Sequence, residues 1–242
     1  MTEDHTHPGL QILTTEDVYE PAEDSHLIID AALDAIDRDG HKRMLRILEI
    51  GTGSGIVSSA MMRHAPMHFY AATDISPHAV ACARRNGVQV VRADLFAGLS
   101  GRFDLIVFNP PYLPTAPDER VCGWLDYAWN GGDDGCATIN RFIEDAPAFL
   151  ADGGSILLLV SSLDGISGVR ERMGLSGFAV REVASVRCPG ERLVVLSARM
   201  RSTPVRRGRS QKTLIRRKRL AQSRRFWSPH ERVFWLSGIS AI

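Results

Sequence analysis

Asn109-Pro110-Pro111-Tyr112 is the stretch whose residue types and order point most directly to chemistry. Neither proline has an N–H to add to a ladder, and each holds the residue before it extended, so the backbone leaves a strand here with its carbonyls directed outward. Asn109 can accept one N–H of a planar NH2 group through its side-chain oxygen. The Pro110 carbonyl can accept the other, and Tyr112 can stack on the flat group that carries the nitrogen. A proline-rich turn after a strand has the same composition, so the reading depends on what the rest of the chain sets beside it.

Phe103-Asp104-Leu105-Ile106-Val107-Phe108, an apolar run of strand length, supplies the strand that must present those four residues. A second run, residues 45–50, leads into Gly51-Thr52-Gly53-Ser54-Gly55 and then a helical pattern over residues 56–62. Glycines let a backbone approach a ligand closely, and the helix start that follows favours negative charge. The Gly-x-Gly-x-Gly spacing departs from the Gly-x-Gly-x-x-Gly dinucleotide form, and the outline alone serves several nucleotide classes. Residues 69–73 read as the next strand and end at Asp74, about where a carboxylate grips ribose hydroxyls in nucleotide-binding sheets. Before Ile75-Ser76-Pro77 the same aspartate also suits a turn or a helix cap. Residues 88–91 read as a further strand ahead of Asp94 and Leu95, where Asp94 can accept from an adenine amino group and Leu95 can cover the ring. Glu49 directly precedes the glycine loop, and a carboxylate is seldom buried there without a partner.

The alternation continues with a helix over residues 139–150, a strand over 155–160, a helix over 166–173, and strands over 178–186 and 192–198 joined through Cys188-Pro189-Gly190-Glu191. With a first helix over residues 25–36, capped by Asp24 or Ser25, this predicts an α/β fold: seven strands, mostly parallel, closed by a late hairpin. Residues 113–135 hold Trp124, Tyr127 and Trp129 beside Gly131-Gly132 and Asp133-Asp134-Gly135, and read as a loop with bulky anchors rather than a regular element. A long loop beside a reactive site shapes what enters it, although tryptophans also serve to pin a loop to the core.

With 44% hydrophobic and 24% charged residues, 242 residues are ample for one globular core. No run of eighteen apolar residues offers a membrane span, and the first nine residues lack a signal-peptide core, so a cytoplasmic protein is expected. Cys82, Cys122, Cys136 and Cys188 have no Cys-x-x-Cys spacing and read as reduced thiols. His5 and His7 are a weak metal pair on a polar terminus, and no metal site is expected. The net charge of +1 hides opposite parts: residues 201–242 hold 12 Arg and Lys against one acidic residue, leaving 17 against 27 for residues 1–200. A poorly ordered basic tail of this kind can neutralise nucleic-acid phosphates, with Phe226, Trp227, Phe234 and Trp235 for stacking, or fold back on the acidic domain.

The set Val18-Tyr19-Glu20-Pro21-Ala22-Glu23-Asp24-Ser25, Leu48-Glu49-Ile50-Gly51-Thr52-Gly53-Ser54-Gly55, Thr73-Asp74-Ile75, Asp94-Leu95 and Asn109-Pro110-Pro111-Tyr112 resembles S-adenosylmethionine-dependent methyltransferases of the HemK type. The resemblance covers about residues 10–200. Tyr-Glu-Pro-Ala-Glu-Asp and Ala128-Trp129-Asn130-Gly131-Gly132 point to the archaeal and eukaryotic branch, as does the short front, which has no room for the helical domain of bacterial relatives.

The resemblance implies a seven-stranded Rossmann-like class I methyltransferase domain over residues 1–200, with helices on both faces. It implies transfer of a methyl group to the side-chain amide of the glutamine in the Gly-Gly-Gln motif of class I release factors. Ser25, Glu49, Gly51, Gly53, Asp74, Asp94, Leu95 and Asn109 would bind S-adenosylmethionine, and Asn109, Pro110 and Tyr112 would hold the acceptor. It also implies a small zinc-binding activator subunit on the sheet edge near residues 88–91. The same Asn-Pro-Pro-Tyr site serves enzymes that methylate the exocyclic nitrogen of adenine or guanine, and a deprotonated lysine fits it too.

Overall fold

The computed structural model describes residues 12–39, 43–113, 123–124, 126–132 and 135–201. His5, His7, Cys122 and the basic segment from residue 202 onward lie outside them, so the readings made on those residues have no structural counterpart here.

One sheet holds seven strands: β1 (Arg46–Ile50), β2 (Phe69–Asp74), β3 (Val90–Arg92), β4 (Phe103–Phe108), β5 (Leu150–Ser161), β6 (Phe178–Cys188) and β7 (Glu191–Met200). Their order is β3-β2-β1-β4-β5-β7-β6. The first five run parallel, and β7 returns antiparallel between β5 and β6. Strands buried on both faces read as near-continuous apolar runs, which is why β4 is hydrophobic at every position but Asp104, while β1 breaks its run at Arg46, its exposed first residue, and at Glu49 in the site. Alternate residues then serve opposite cores. Ile47, Leu105, Leu157 and Val195 pack with α1 (Glu23–Asp39) and α2 (Ile56–His64), whereas Ile106, Phe108, Leu158 and Val194 pack with α5 (Ala137–Phe149) and α6 (Ile166–Leu175). Phe142 of α5 has no exposed surface and lies 4.8 Å from the Phe108 ring and 5.5 Å from Phe96. Burial of one such ring stabilises the fold by about 2–3 kcal/mol.

Local chemistry sets the helix boundaries. In α1 the buried positions Ile28, Ala31, Ala32, Ala35 and Ile36 recur at helical spacing, and Glu23 and Asp24 complement the positive N-terminal end. α3 (Pro77–Arg85) starts on Ser76, whose hydroxyl accepts from the Ala79 N–H at 3.3 Å, with Pro77 in the first turn. Ser76, not Asp74, is therefore the cap. No helix among the described residues is long and apolar enough to cross a membrane.

Three elements differ from expectation. β3 begins at Val90 rather than Val88, because the Val88 N–H donates back to Ala83 O at 3.0 Å at the end of α3 instead of joining the ladder. β5 begins at Leu150, not Ser155: Leu150 pairs with Phe103 across a bulge, so the ladder continues through Asp152-Gly153-Gly154, where composition reads as a turn. Within the expected irregular loop, Asp126–Trp129 forms a single helical turn, α4.

Candidate active site

Parallel register places the site. Ile50 of β1 pairs with Thr73 of β2 and Phe108 of β4, so Gly51, Asp74 and Asn109 step off the sheet side by side. β1 is where the strand order reverses, the position at which open α/β sheets hold ligands. A cavity of about 580 Å3 opens there, and every residue expected at the site lines it, from Ser25 and Glu49 through Asp94 and Leu95 to Asn109, Pro110 and Tyr112.

Asp24 determines which way Asn109 faces. The Asn109 amide nitrogen donates to Asp24 Oδ2 at 2.8 Å. An ionised carboxylate can only accept, so the NH2 must face it and the Asn109 oxygen must face away. That oxygen is buried and has no hydrogen-bond partner among the described residues. A desolvated acceptor left bare costs about 1–3 kcal/mol, and Asn109 and Pro110 both line the cavity. Asp24 is 3% exposed and is held in turn by the Tyr19 hydroxyl at 3.2 Å and the Ser25 N–H at 2.6 Å, both donating to Oδ1. Burial, with Asp24 beside it, pushes the Tyr19 hydroxyl pKa well above its usual range. The expected capping role of Asp24 or Ser25 gives way to this one. α1 already begins at Glu23, so both residues lie inside its first turn.

Glu49 closes the inner end. Its Oε2 accepts from Thr52 Oγ1 at 2.7 Å, from the Ser58 N–H at 3.0 Å and from the Ser58 hydroxyl. Burial nevertheless outweighs these donors and lifts the Glu49 pKa to about 7. Asp74 accepts from the Gly53 N–H through Oδ2 at 2.9 Å and from the Ser76 N–H through Oδ1 at 2.8 Å, tying the glycine loop to the start of α3. Its pKa is also raised by burial. Gly51 has φ +64° and a Cβ there would come within 3.3 Å of the Phe108 ring, so the loop lies tight on the strand that carries Asn109. Asp94 receives Arg141 of α5 at 2.6 Å through Oδ2. Leu95 adopts φ +50° at the adjoining turn and is buried against the cavity. Buried carboxylates, a close-lying backbone and one apolar wall suit a ligand with a cationic end, vicinal hydroxyls and a flat ring.

The segment after Tyr112 is anchored by main-chain bonds. Leu113 N donates to Trp129 O at 2.9 Å, and Gly131 N returns to Leu113 O at 3.0 Å. Arg92 lies 5.2 Å from the Trp124 ring, linking the segment to β3. Trp129 lines the cavity half-buried. A Cβ on Gly131 would meet Gly135 O at 2.5 Å, a clash with backbone that cannot swing away. Gly131→Ala is therefore expected to displace this wall and raise the acceptor KM about tenfold. Cofactor affinity should change less than about twofold, since the ligand-binding carboxylates lie on other elements. Steady-state kinetics beside calorimetric cofactor titration checks both.

Sequence reasoning missed three neighbours of the site. Asp24 carried a signal, standing in a quoted motif, but its 85-residue separation from Asn109 hid their contact. Arg141 and Glu191 line the cavity with no local pattern to mark them.

Comparison with known proteins follows the same lines. The family model for the methyltransferase small domain matches residues 25–121. A Methanocaldococcus jannaschii protein, provisionally named protein N5-glutamine methyltransferase, is 36% identical over 196 residues, covering 78% of this chain and 95% of its own. The human methyltransferase HEMK2 is 36% identical over 187 residues, covering 72% of this chain and 86% of its own. The structure of the E. cuniculi Mtq2-Trm112 complex, responsible for methylation of the eRF1 translation termination factor, superposes with a TM-score of 0.60 at 27% identity, over 76% of this chain and 99% of that one.

Proposed function

We propose that this chain, which belongs to the S-adenosylmethionine-dependent methyltransferases of the HemK type and to their archaeal and eukaryotic branch, methylates the side-chain amide nitrogen of the glutamine in the Gly-Gly-Gln motif of a class I release factor. The observation that carries this reading is the buried Asn109 oxygen, without a partner among the described residues and turned away from Asp24 in a residue that lines the cavity. It awaits an N–H, and with the Pro110 carbonyl it matches the two donors of a primary amide.

S-adenosylmethionine supplies a methyl group on a sulfonium that is already a good leaving group. The chain's own residues bind and aim. Glu49 and the Gly51–Gly53 turn take the amino-acid end, Asp74 takes the ribose hydroxyls, Asp94 and Leu95 take the adenine, and Ser25 closes over the ligand from α1. An amide nitrogen is a poor nucleophile because its lone pair is shared with the carbonyl. Asn109 and Pro110, accepting one N–H each, return electron density to that nitrogen and favour the positive charge that grows as the N–C bond forms and the S–C bond breaks. The released proton passes to solvent. Tyr112 lies half-buried against the core and holds the acceptor plane, so orientation at near-attack distance is the main catalytic contribution.

The catalytic domain spans residues 1–200, and a small zinc-binding activator subunit covers the edge strand β3. The superposition on the Mtq2-Trm112 complex and the three-residue length of β3 support that partner. A release-factor substrate places the protein in the cytoplasm. Seven carboxylates and one Arg line the cavity among the described residues, a charge balance that disfavours phosphate-bearing acceptors.

Labelled S-adenosylmethionine offered to the chain with its activator, with intact release factor, its Gln→Ala variant at Gly-Gly-Gln, and bulk RNA as acceptors, tests this. Label is expected on the intact release factor alone. Label on RNA, or equal label on the variant, would overturn the reading.

A further inference from the structure

β7 runs opposite to β5, so its first residue arrives at the same rim where the parallel strands end. That residue is Glu191, which pairs with Cys188 across the tip of the β6–β7 hairpin. It lines the cavity on the side of Tyr112, across from the strands that carry Glu49, Asp74 and Asp94.

Glu191 is held, but only by half. Its Oε2 accepts from the Ser161 hydroxyl at 2.5 Å. Ser161 is itself completely buried at the end of β5, where its N–H donates to Asp164 Oδ2 at 2.9 Å and its oxygen accepts from Leu163 N at 3.1 Å. The hydroxyl proton is thus committed to Glu191, and the carboxylate is aimed by a rigid part of the sheet rather than by a free side chain. Among the described residues Glu191 Oε1 has no hydrogen-bond partner.

Among the described residues no cation answers that carboxylate. Arg192, the next residue, turns to β6 and bonds to Glu182 and Ser185. Arg141, the single basic residue among the described residues lining the cavity, is engaged with Asp94 on the far side. Around Tyr112 the field is negative, for Asp24, Glu191 and Asp164 all act on its hydroxyl and raise its pKa beyond what burial alone does. Glu191 has no part in holding the acceptor amide, whose two N–H groups are already matched by Asn109 and Pro110.

We propose that Glu191 is a specificity-determining residue that takes a basic side chain of the acceptor protein, one flanking the methylated glutamine, through its open Oε1. The proposal rests on the glutamine reading of the site. Ser161 fixes the carboxylate before the acceptor arrives, so little ordering entropy opposes the contact. The half-exposed rim also leaves the flexible part of a long cationic side chain in solvent.

The test uses the full chain with its activator and glutamine-containing acceptor peptides. Each peptide carries arginine at one flanking position, paired with the same peptide carrying citrulline, which keeps the shape and removes the charge. At one flanking position the wild type should favour arginine by about tenfold in kcat/KM, and the preference should lie in KM. Glu191→Gln, which still accepts from Ser161, should bring the arginine-to-citrulline ratio at that position to about one. Ser161→Ala should lower the ratio without abolishing it, since the charge remains but its aim is lost.

Equal rates on every arginine and citrulline pair in the wild type would overturn the proposal, whatever the variants do. An unchanged ratio in Glu191→Gln would overturn it as well, leaving the carboxylate a structural partner of Ser161. These outcomes are distinct from failure of the glutamine reading, in which no glutamine peptide accepts label while RNA or a lysine peptide does.

Discussion

Asn109→Ala should lower kcat by about 100- to 1000-fold while leaving S-adenosylmethionine affinity within about threefold of the wild type. The substitution removes the buried acceptor oxygen that has no partner among the described residues, and with it a fixed dipole proposed to act on charge that develops only during transfer. Such a dipole contributes more in the transition state than in the ground state, so the loss falls on kcat rather than on binding. Cofactor affinity is spared because Glu49, Asp74 and Asp94 stand on other strand ends. Single-turnover rates beside calorimetric titration separate the two quantities. An equal loss of cofactor affinity and rate would show that Asn109 belongs to the cofactor rather than to the acceptor.

Glu49 gives the second large effect, as a dependence on pH. Burial raises its pKa to about 7, above the ordinary carboxylate value near 4.3 in an unfolded chain. The folded, ligand-free protein therefore holds this proton more tightly than the unfolded chain does. Its contribution to stability is complete below about pH 4.3 and is lost as pH rises through about 7, a change of no more than about 4 kcal/mol. Cofactor binding has the opposite requirement, since the cationic amino-acid end of S-adenosylmethionine needs the carboxylate form. Below about pH 7 the cofactor Kd should accordingly rise about tenfold for each unit of pH, and Glu49→Gln should bind weakly with a flat profile. Titration between pH 5.5 and 8, with melting curves of the ligand-free protein over the same range, provides the check. A flat wild-type profile would mean that Glu49 is already ionised in the free protein, or does not meet the ligand.

Asp24 and Asn109 show how a residue's chemistry can be evident while its task is not. The motif around Asp24 was visible in the chain, yet its position at the start of a helix read over residues 25–36 suggested a cap, a local duty that aspartate performs often. The sheet instead carries Asn109 to it, and a carboxylate facing an amide decides which end of that amide is free. The same distinction separates the turn-forming bond of Asp74 to Ser76, a local consequence of its position, from its bond to Gly53 on the glycine loop and from Glu191, whose partner Ser161 lies thirty residues away on another strand.

What the sequence determined by itself was the local part: seven apolar runs at strand spacing, helical periodicity between them, and polar groups at Glu49, Asp74, Asp94 and Asn109 where those runs stop. These follow from side-chain types and their period along the chain, and short-range physics is enough to set them. Tertiary structure decided the rest. Parallel register brought Gly51, Asp74 and Asn109 abreast, the antiparallel return of β7 delivered Glu191 to the same rim, and pairing across a bulge extended β5 through a segment that composition reads as a turn. Each depends on hydrogen bonds between strands far apart in the chain, so no window along the sequence contains both partners.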